Sequence, residues 1–162
     1  MRLAIISDTH LPRGGRVLPP ACVEHLRAAD LILHAGDFME PSVLEDLRAL
    51  GPTVCAVRGN VDSADLQARL PLTRIVAAED VKIAVVHDAG PADRRLDRLR
   101  RRFPEANAVV FGHSHMPLLE SDAGFTIFNP GSPTERRRAP HHTMGFATVD
   151  HGAVTFEHLA LD

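Results

Sequence analysis

Five short apolar runs, each closed by polar residues able to hold a cation, constrain this chain more than any other feature. Leu3–Ile6, Leu31–Leu33, Val54–Val57, Val81–Val86 and Ala108–Phe111 are rich in Val, Ile and Leu. Runs of that length and composition read as buried strands. Between them, Pro20–Ala29, Pro41–Leu50 and Ala92–Phe103 read as helices. The second opens on Pro-Ser, sets Val43, Leu44 and Leu47 on one stripe, and stops at Gly51-Pro52, as helices do. The last third is strand-like at Leu118–Ser121, Phe125–Asn129, Gly145–Asp150 and Ala153–Leu159, with Asp-Ala-Gly and Asp-His-Gly turn signals between. This order predicts a layered α/β fold whose later strands form an antiparallel extension or a second sheet. With 162 residues and no repeat or linker, the expectation is one domain spanning 1–162.

Charge and cysteine usage narrow the function classes. The formal net charge is −3 and Lys82 is the only lysine, so the chain lacks a polybasic signature for nucleic acid or an anionic membrane. Cys22 and Cys55 lie far apart in apolar contexts, which predicts buried reduced thiols in place of a disulfide or metal pair. The N-terminal apolar run is too short for a signal peptide, and no stretch approaches the roughly 18 apolar residues of a membrane span. The expected location is the cytoplasm. The sequence leaves oligomeric state open, a homo-oligomer among the options.

The polar residues that close the runs carry the chemistry. The first run delivers Asp8 and His10, the second His34 and Asp37, the third Arg58 and Asn60, the fourth His87, and the fifth His113 and His115 in "GHSH". Each element taken alone is ordinary. Asp8 and Asp37 fit turn caps, Asn60 fits a left-handed turn, and a lone histidine is more often structural. Together they gather where loops converge beyond the carboxyl ends of strands in α/β sheets. In an extended segment, His113 and His115 would share a face and reach one point. Asp8, His10, Asp37, Asn60, His87, His113 and His115 form an oxygen and imidazole set without thiolate. Such a set suits Mn²⁺, Fe, Zn²⁺, Co²⁺ or Ni²⁺, and seven ligands fit two ions sharing a carboxylate better than one tetrahedral ion.

In this order, D-x-H (Asp8, His10), G-D (Gly36, Asp37), G-N (Gly59, Asn60), the lone His87 and G-H-x-H (Gly112, His113, His115) resemble the calcineurin-like metallophosphoesterases. The short length, "GNVD" and "NPGS" at Asn129–Ser132 are similar to the small prokaryotic phosphodiesterase branch. The resemblance covers nearly the whole chain and implies a four-layer α/β/β/α sandwich. It further implies two divalent transition metals, Mn²⁺ foremost and Ni²⁺, Co²⁺, Fe²⁺ or Zn²⁺ as alternatives. Asp8, His10 and His115 would bind the first ion, Asn60, His87 and His113 the second, and Asp37 would bridge. The implied activity is hydrolysis of a small-molecule phosphodiester by a metal-bridging hydroxide, with Arg58 the candidate cation for the phosphate.

Two positions depart from the family pattern. Val61 stands where many members carry a histidine that protonates the leaving group, and His87-Asp88-Ala89 replaces a common His-Gly-His. His34 reads as structural. The arginines of "RRLDRLRRRF" (94–103) read as the solvated face of a helix whose apolar stripe is Leu96, Leu99 and Phe103, while "ERRR" (135–138) lies where it could steer phosphate. His141, His142, His151 and His158 have no partner pattern. Two alternatives stay open: a phosphomonoesterase or nucleotidase, and a non-catalytic protein-interaction scaffold on the same fold. Intact metal positions weigh against the scaffold.

Overall fold

The computed structural model describes residues 1–162 and places ten strands in two five-stranded sheets. In chain order the strands are β1 (Arg2–Ile6), β2 (Leu31–His34), β3 (Thr53–Ala56), β4 (Thr73–Ala78), β5 (Val81–Val86), β6 (Ala108–Val110), β7 (Leu118–Asp122), β8 (Phe125–Asn129), β9 (Thr143–Asp150) and β10 (Ala153–Ala160). The helices are α1 (Pro20–Arg27), α2 (Pro41–Arg48), α3 (Ala64–Arg69) and α4 (Arg95–Arg102). The first sheet runs β10-β9-β1-β2-β3 and the second β4-β5-β6-β8-β7.

Each sheet mixes parallel and antiparallel pairs. β1, β2 and β3 are parallel, and β9 joins β1 antiparallel with Ile5 opposite Gly145. In the second sheet β5, β6 and β8 are parallel, with β4 and β7 as antiparallel edges. Period-2 alternation decides which core each strand feeds. In β1, Leu3 and Ile5 point between the sheets with Ile83, Val85, Val110 and Phe128. Ala4 and Ile6 point the other way, against Cys22, Leu26, Val43, Leu47 and Leu66 of α1, α2 and α3. A third core packs Leu96, Leu99 and Phe103 against Val109, Phe111 and Ile127. Three apolar layers therefore separate four structural ones, the α/β/β/α order that the family resemblance implies.

The later strands take both of the expected forms: β9 and β10 are an antiparallel extension of the first sheet, while β7 and β8 complete a second. Several local expectations change. The fourth and fifth apolar runs also belong to the second sheet, because their inward faces complete the core under β1 and β2. α3 and β4 are additional to the expected elements. The signal for α3 was present: Ser63 accepts a hydrogen bond from Leu66 N at 3.4 Å, as an N-cap does. β4 turns into β5 through Glu79, at φ 53°, without the Asn-Gly or Asp-Gly that marks most hairpins. The predicted stripe of α4 is buried as expected, but the helix begins at Arg95 after a left-handed Arg94. Cys22 is buried and Cys55 half-buried, and both are free. No helix is long and apolar enough to cross a membrane.

Candidate metal centre

Asp8 and His10 follow β1, Asp37 follows β2, Arg58 and Asn60 follow β3, His87 follows β5, and His113 and His115 follow β6. The topology brings these loops from both sheets to one end of the sandwich. Asp8, His10 and His115 present ligand atoms within 4.8 Å of one another, and Asp37, His87 and His113 do the same. Asn60 joins the second group, with Oδ1 3.0 Å from His87 Nε2 and 3.1 Å from His113 Nδ1. Asp37 Oδ2 lies between the groups, 3.4 Å from His10 Nε2 and 3.2 Å from His87 Nε2. The expectation that His113 and His115 share a face of extended chain is corrected. They lie at φ 70° and 60°, outside extended backbone, and their rings enter different groups, the division that the resemblance implies.

Asp8, His10 and Asp37 also adopt left-handed backbone, at φ 56°, 45° and 62°. Residues other than glycine rarely do so, and such strain persists only where surrounding contacts over-determine it. Here those contacts are explicit. Asp8 N donates to Gly36 O and His10 N to Asp37 O, each at 3.0 Å, which ties the first loop to the second. Ser132 Oγ donates to Asp8 O at 2.8 Å and Thr134 Oγ1 to Thr9 O at 2.5 Å. Close approach requires glycine at two of the motif positions. A Cβ on Gly59 would lie 2.0 Å from Asp37 Oδ1, and one on Gly112 would lie 2.0 Å from Ser7 Oγ.

The carboxylates draw positive charge onto two of the site's histidines. Burial alone would lower the pKa of His10, but Asp37 and Asp8 outweigh it and raise it to about 9. His87 is likewise raised against burial, by Asp37, Asp8 and the Ala35 carbonyl. Burial opposes ionisation of Asp37, yet the His10 and His87 rings beside it hold it well below the usual carboxylate range. His115 is lowered, chiefly by burial.

Whether these residues fit metal ions can be judged from their lone pairs. His87 Nδ1 donates to Ala35 O at 2.7 Å and His115 Nδ1 to Glu135 O at 2.5 Å. In the neutral rings each Nε2 is then a lone pair directed into the site. His87 Nε2 faces two oxygens, and His115 Nε2 and His10 Nε2 are buried without a hydrogen-bond partner. Electron-rich atoms facing one another are stabilised by a cation between them, and the backbone-anchored Nδ1 is the usual arrangement of metal-ligating histidine. The residues fit two divalent ions.

Several residues that support the candidate ligands had no individual role in the sequence analysis. Asp62 accepts hydrogen bonds from Asp37 N, Met39 N and Gly59 N at 3.2, 2.8 and 2.6 Å, tying the Asp37 loop to the Asn60 loop. Its signal was the final letter of "GNVD". Glu135 anchors His115 through its carbonyl and sets Oε2 3.5 Å from His10 Nδ1. Asn129 of "NPGS" donates to Gly112 O at 2.9 Å, which holds the GHSH loop. His158 in turn donates to Asn129 O at 2.7 Å. His34 is structural as read: Nδ1 accepts from Gly36 N, and Nε2 lies 3.2 Å from Thr9 Oγ1. Arg58 lines a cavity of about 310 Å³ with Asn60, His87, Asp88 and Arg102, and donates to Gln67 O at 2.7 Å.

Comparison with known proteins agrees with this geometry. Residues 1–152 match the family model of the calcineurin-like phosphoesterase superfamily domain. The chain is 33% identical over 141 residues to a probable metallophosphoesterase of Methanothermobacter thermautotrophicus, covering 85% of this chain and 80% of that protein. It is 30% identical over 149 residues to phosphodiesterase YfcE of Escherichia coli, covering 82% and 79% respectively. Among solved structures, zinc-complexed Vps29 of Entamoeba histolytica superimposes with a TM-score of 0.79 over all of both chains, at 20% identity; that likeness concerns the fold alone. By its sequence match, its sandwich and its ordered set of oxygen and imidazole side chains, this chain belongs to the calcineurin-like phosphoesterase superfamily.

Proposed function

We propose that this chain is a dinuclear, metal-dependent phosphodiesterase acting on small-molecule phosphodiesters. The observation that carries this reading is the place of Asp37 Oδ2 between His10 and His87, one histidine from each group. Asp8, His10 and His115 would hold one ion, Asn60, His87 and His113 the other, with Asp37 shared. The mixed ligand set favours Mn²⁺, with Ni²⁺, Co²⁺, Fe²⁺ and Zn²⁺ as alternatives. When bound, such a pair supplies a nucleophilic water of lowered pKa and neutralises charge on the phosphoryl oxygens.

The chain's own residues do the positioning. The Ala35 and Glu135 carbonyls aim His87 and His115 inward, and Asp37 offsets the repulsion between two dications. Arg58 borders the cavity beside Asn60 and His87, where its guanidinium is suited to a phosphate oxygen. We further propose that residues 1–162 act as one domain in the cytoplasm, a location supported by two free cysteines.

Elemental analysis, followed by assays on bis(p-nitrophenyl) phosphate and p-nitrophenyl phosphate, tests the reading. Two equivalents of metal and preferential cleavage of the diester are expected. Preference for the monoester would replace it with a phosphomonoesterase. No metal uptake and no turnover would leave a scaffold.

A further inference from the structure

Beyond the candidate metals, the GHSH loop and the Arg137–Arg138 segment enclose a second cavity of about 460 Å³, lined by His113, Ser114, Met116, Arg137 and Arg138. That volume lies within the range of about 300–1,000 Å³ typical of ligand pockets. Its wall holds two guanidinium groups and no carboxylate. Glu135, the neighbouring acid in sequence, is already engaged by His10 and Arg16. The cavity on the other flank is different, because Asp88 stands among its lining residues with Arg58 and Arg102. Both cavities have two arginines in their lining, and only the one beside Ser114 has no carboxylate to offset them.

Ser114 adds a directed donor. Its Oγ accepts from Asn129 Nδ2 at 3.1 Å and from Met116 N at 3.2 Å. A hydroxyl with both lone pairs occupied has its hydrogen left to donate. His113 marks the border: its Nδ1 faces Asn60 and His87, while its ring also lines this cavity. A phosphoryl group at the metals would leave the cavity to whatever extends past His113. Two guanidinium groups and a hydroxyl donor select an anion with several acceptor oxygens.

We propose that this cavity is a subsite for a second anionic group, so that the preferred substrate is a phosphodiester carrying a terminal phosphate on one flank. The inference rests on the phosphodiesterase reading above. It assigns Arg137, Arg138 and Ser114 to substrate selection.

The test compares the p-nitrophenyl ester of thymidine 5′-phosphate with the same diester bearing a 3′-phosphate, using the metal-loaded full chain. Both release nitrophenolate, so they differ only in the second anion. The 3′-phosphate should raise kcat/KM about tenfold at low salt, since two exposed charge pairs contribute modestly each. That gain should shrink to about twofold or less in Arg137→Ala/Arg138→Ala, and persist in most part in Arg137→Lys/Arg138→Lys. Calorimetry gives a readout apart from turnover: thymidine 3′,5′-bisphosphate should bind about tenfold tighter than thymidine 5′-phosphate, and the difference should vanish in the double alanine variant. Turnover of both diesters at equal kcat/KM would overturn the subsite and leave the diesterase intact. A gain that survives in the double alanine variant would overturn its assignment to these arginines. No turnover of either diester would overturn the underlying reading and the subsite with it.

Discussion

Asp62 Oδ2 receives the backbone N–H of Asp37 at 3.2 Å and of Gly59 at 2.6 Å, so one buried carboxylate clasps two of the loops that carry candidate ligands. Asp62→Ala removes that clasp without touching a ligand. Second-row partners of metal ligands are worth about 10–100-fold in affinity, and a loss in that range is expected for at least one ion. Titration calorimetry with Mn²⁺ measures it. Affinity within twofold of wild type would show that the loops hold their positions without Asp62.

Asp37 and Asn60 separate bridging from terminal roles. Asp37→Asn removes the negative charge lying between His10 and His87, whereas Asn60→Ala removes one neutral oxygen from one group. The first should lose more bound metal and more turnover than the second, because only a carboxylate offsets two dications. Equal losses in elemental analysis and diester assay would argue against Asp37 as the bridge.

Glycine substitutions distinguish close approach from backbone strain. Gly59→Ala would set its Cβ 2.0 Å from Asp37 Oδ1, while Gly124, at φ 78°, has nothing within 4 Å. Gly59→Ala should reduce turnover about 100-fold or more by displacing a positioned group. Gly124→Ala should cost about 1–2 kcal/mol of stability and leave turnover unchanged. Thermal unfolding and diester hydrolysis on both variants decide this.

His34 makes the fold acid-sensitive. Burial, with His87 and His10 adding to it, pushes its pKa from 6.5 down to about 3. Between those values the unfolded chain binds a proton that the folded chain refuses. Stability from this residue is therefore present above pH 6.5 and is lost progressively toward pH 3. The slope should approach about 1.4 kcal/mol per pH unit inside that window. Denaturant unfolding of metal-free protein at pH 7, 6 and 5 should show a steeper loss in wild type than in His34→Gln. Parallel slopes would count against the assignment.

Val61 is partly exposed, and its backbone N–H donates to Asp37 Oδ1 at 3.0 Å. Its side chain offers no proton to a leaving group. Diester turnover should consequently fall steeply as leaving-group pKa rises. Val61→His should recover poor leaving groups more than good ones, up to the roughly 10²–10⁴-fold typical of general acid catalysis. A wild-type rate flat across a leaving-group series would mean that another group supplies the proton.

Residue type and spacing alone located the seven candidate ligands. Each falls just past a short Val-, Ile- or Leu-rich run, and the boundary between an apolar run and its polar end is a local property of the chain. The buried stripe of α4 was legible for the same reason, since Leu96, Leu99 and Phe103 recur at helical spacing. Tertiary structure decided the rest. His113 N reaches Asp8 Oδ2 at 3.0 Å across 105 residues, and no local pattern encodes a contact of that separation. The split of β5 and β6 into a second sheet, the clasp of Asp62 and the gathering of Arg137 and Arg138 beside Ser114 all depend on such contacts. They exist only once the faces of β1 and β2 are buried against β5, β6 and β8, because burial of apolar surface selects the register that carries the loops to one end.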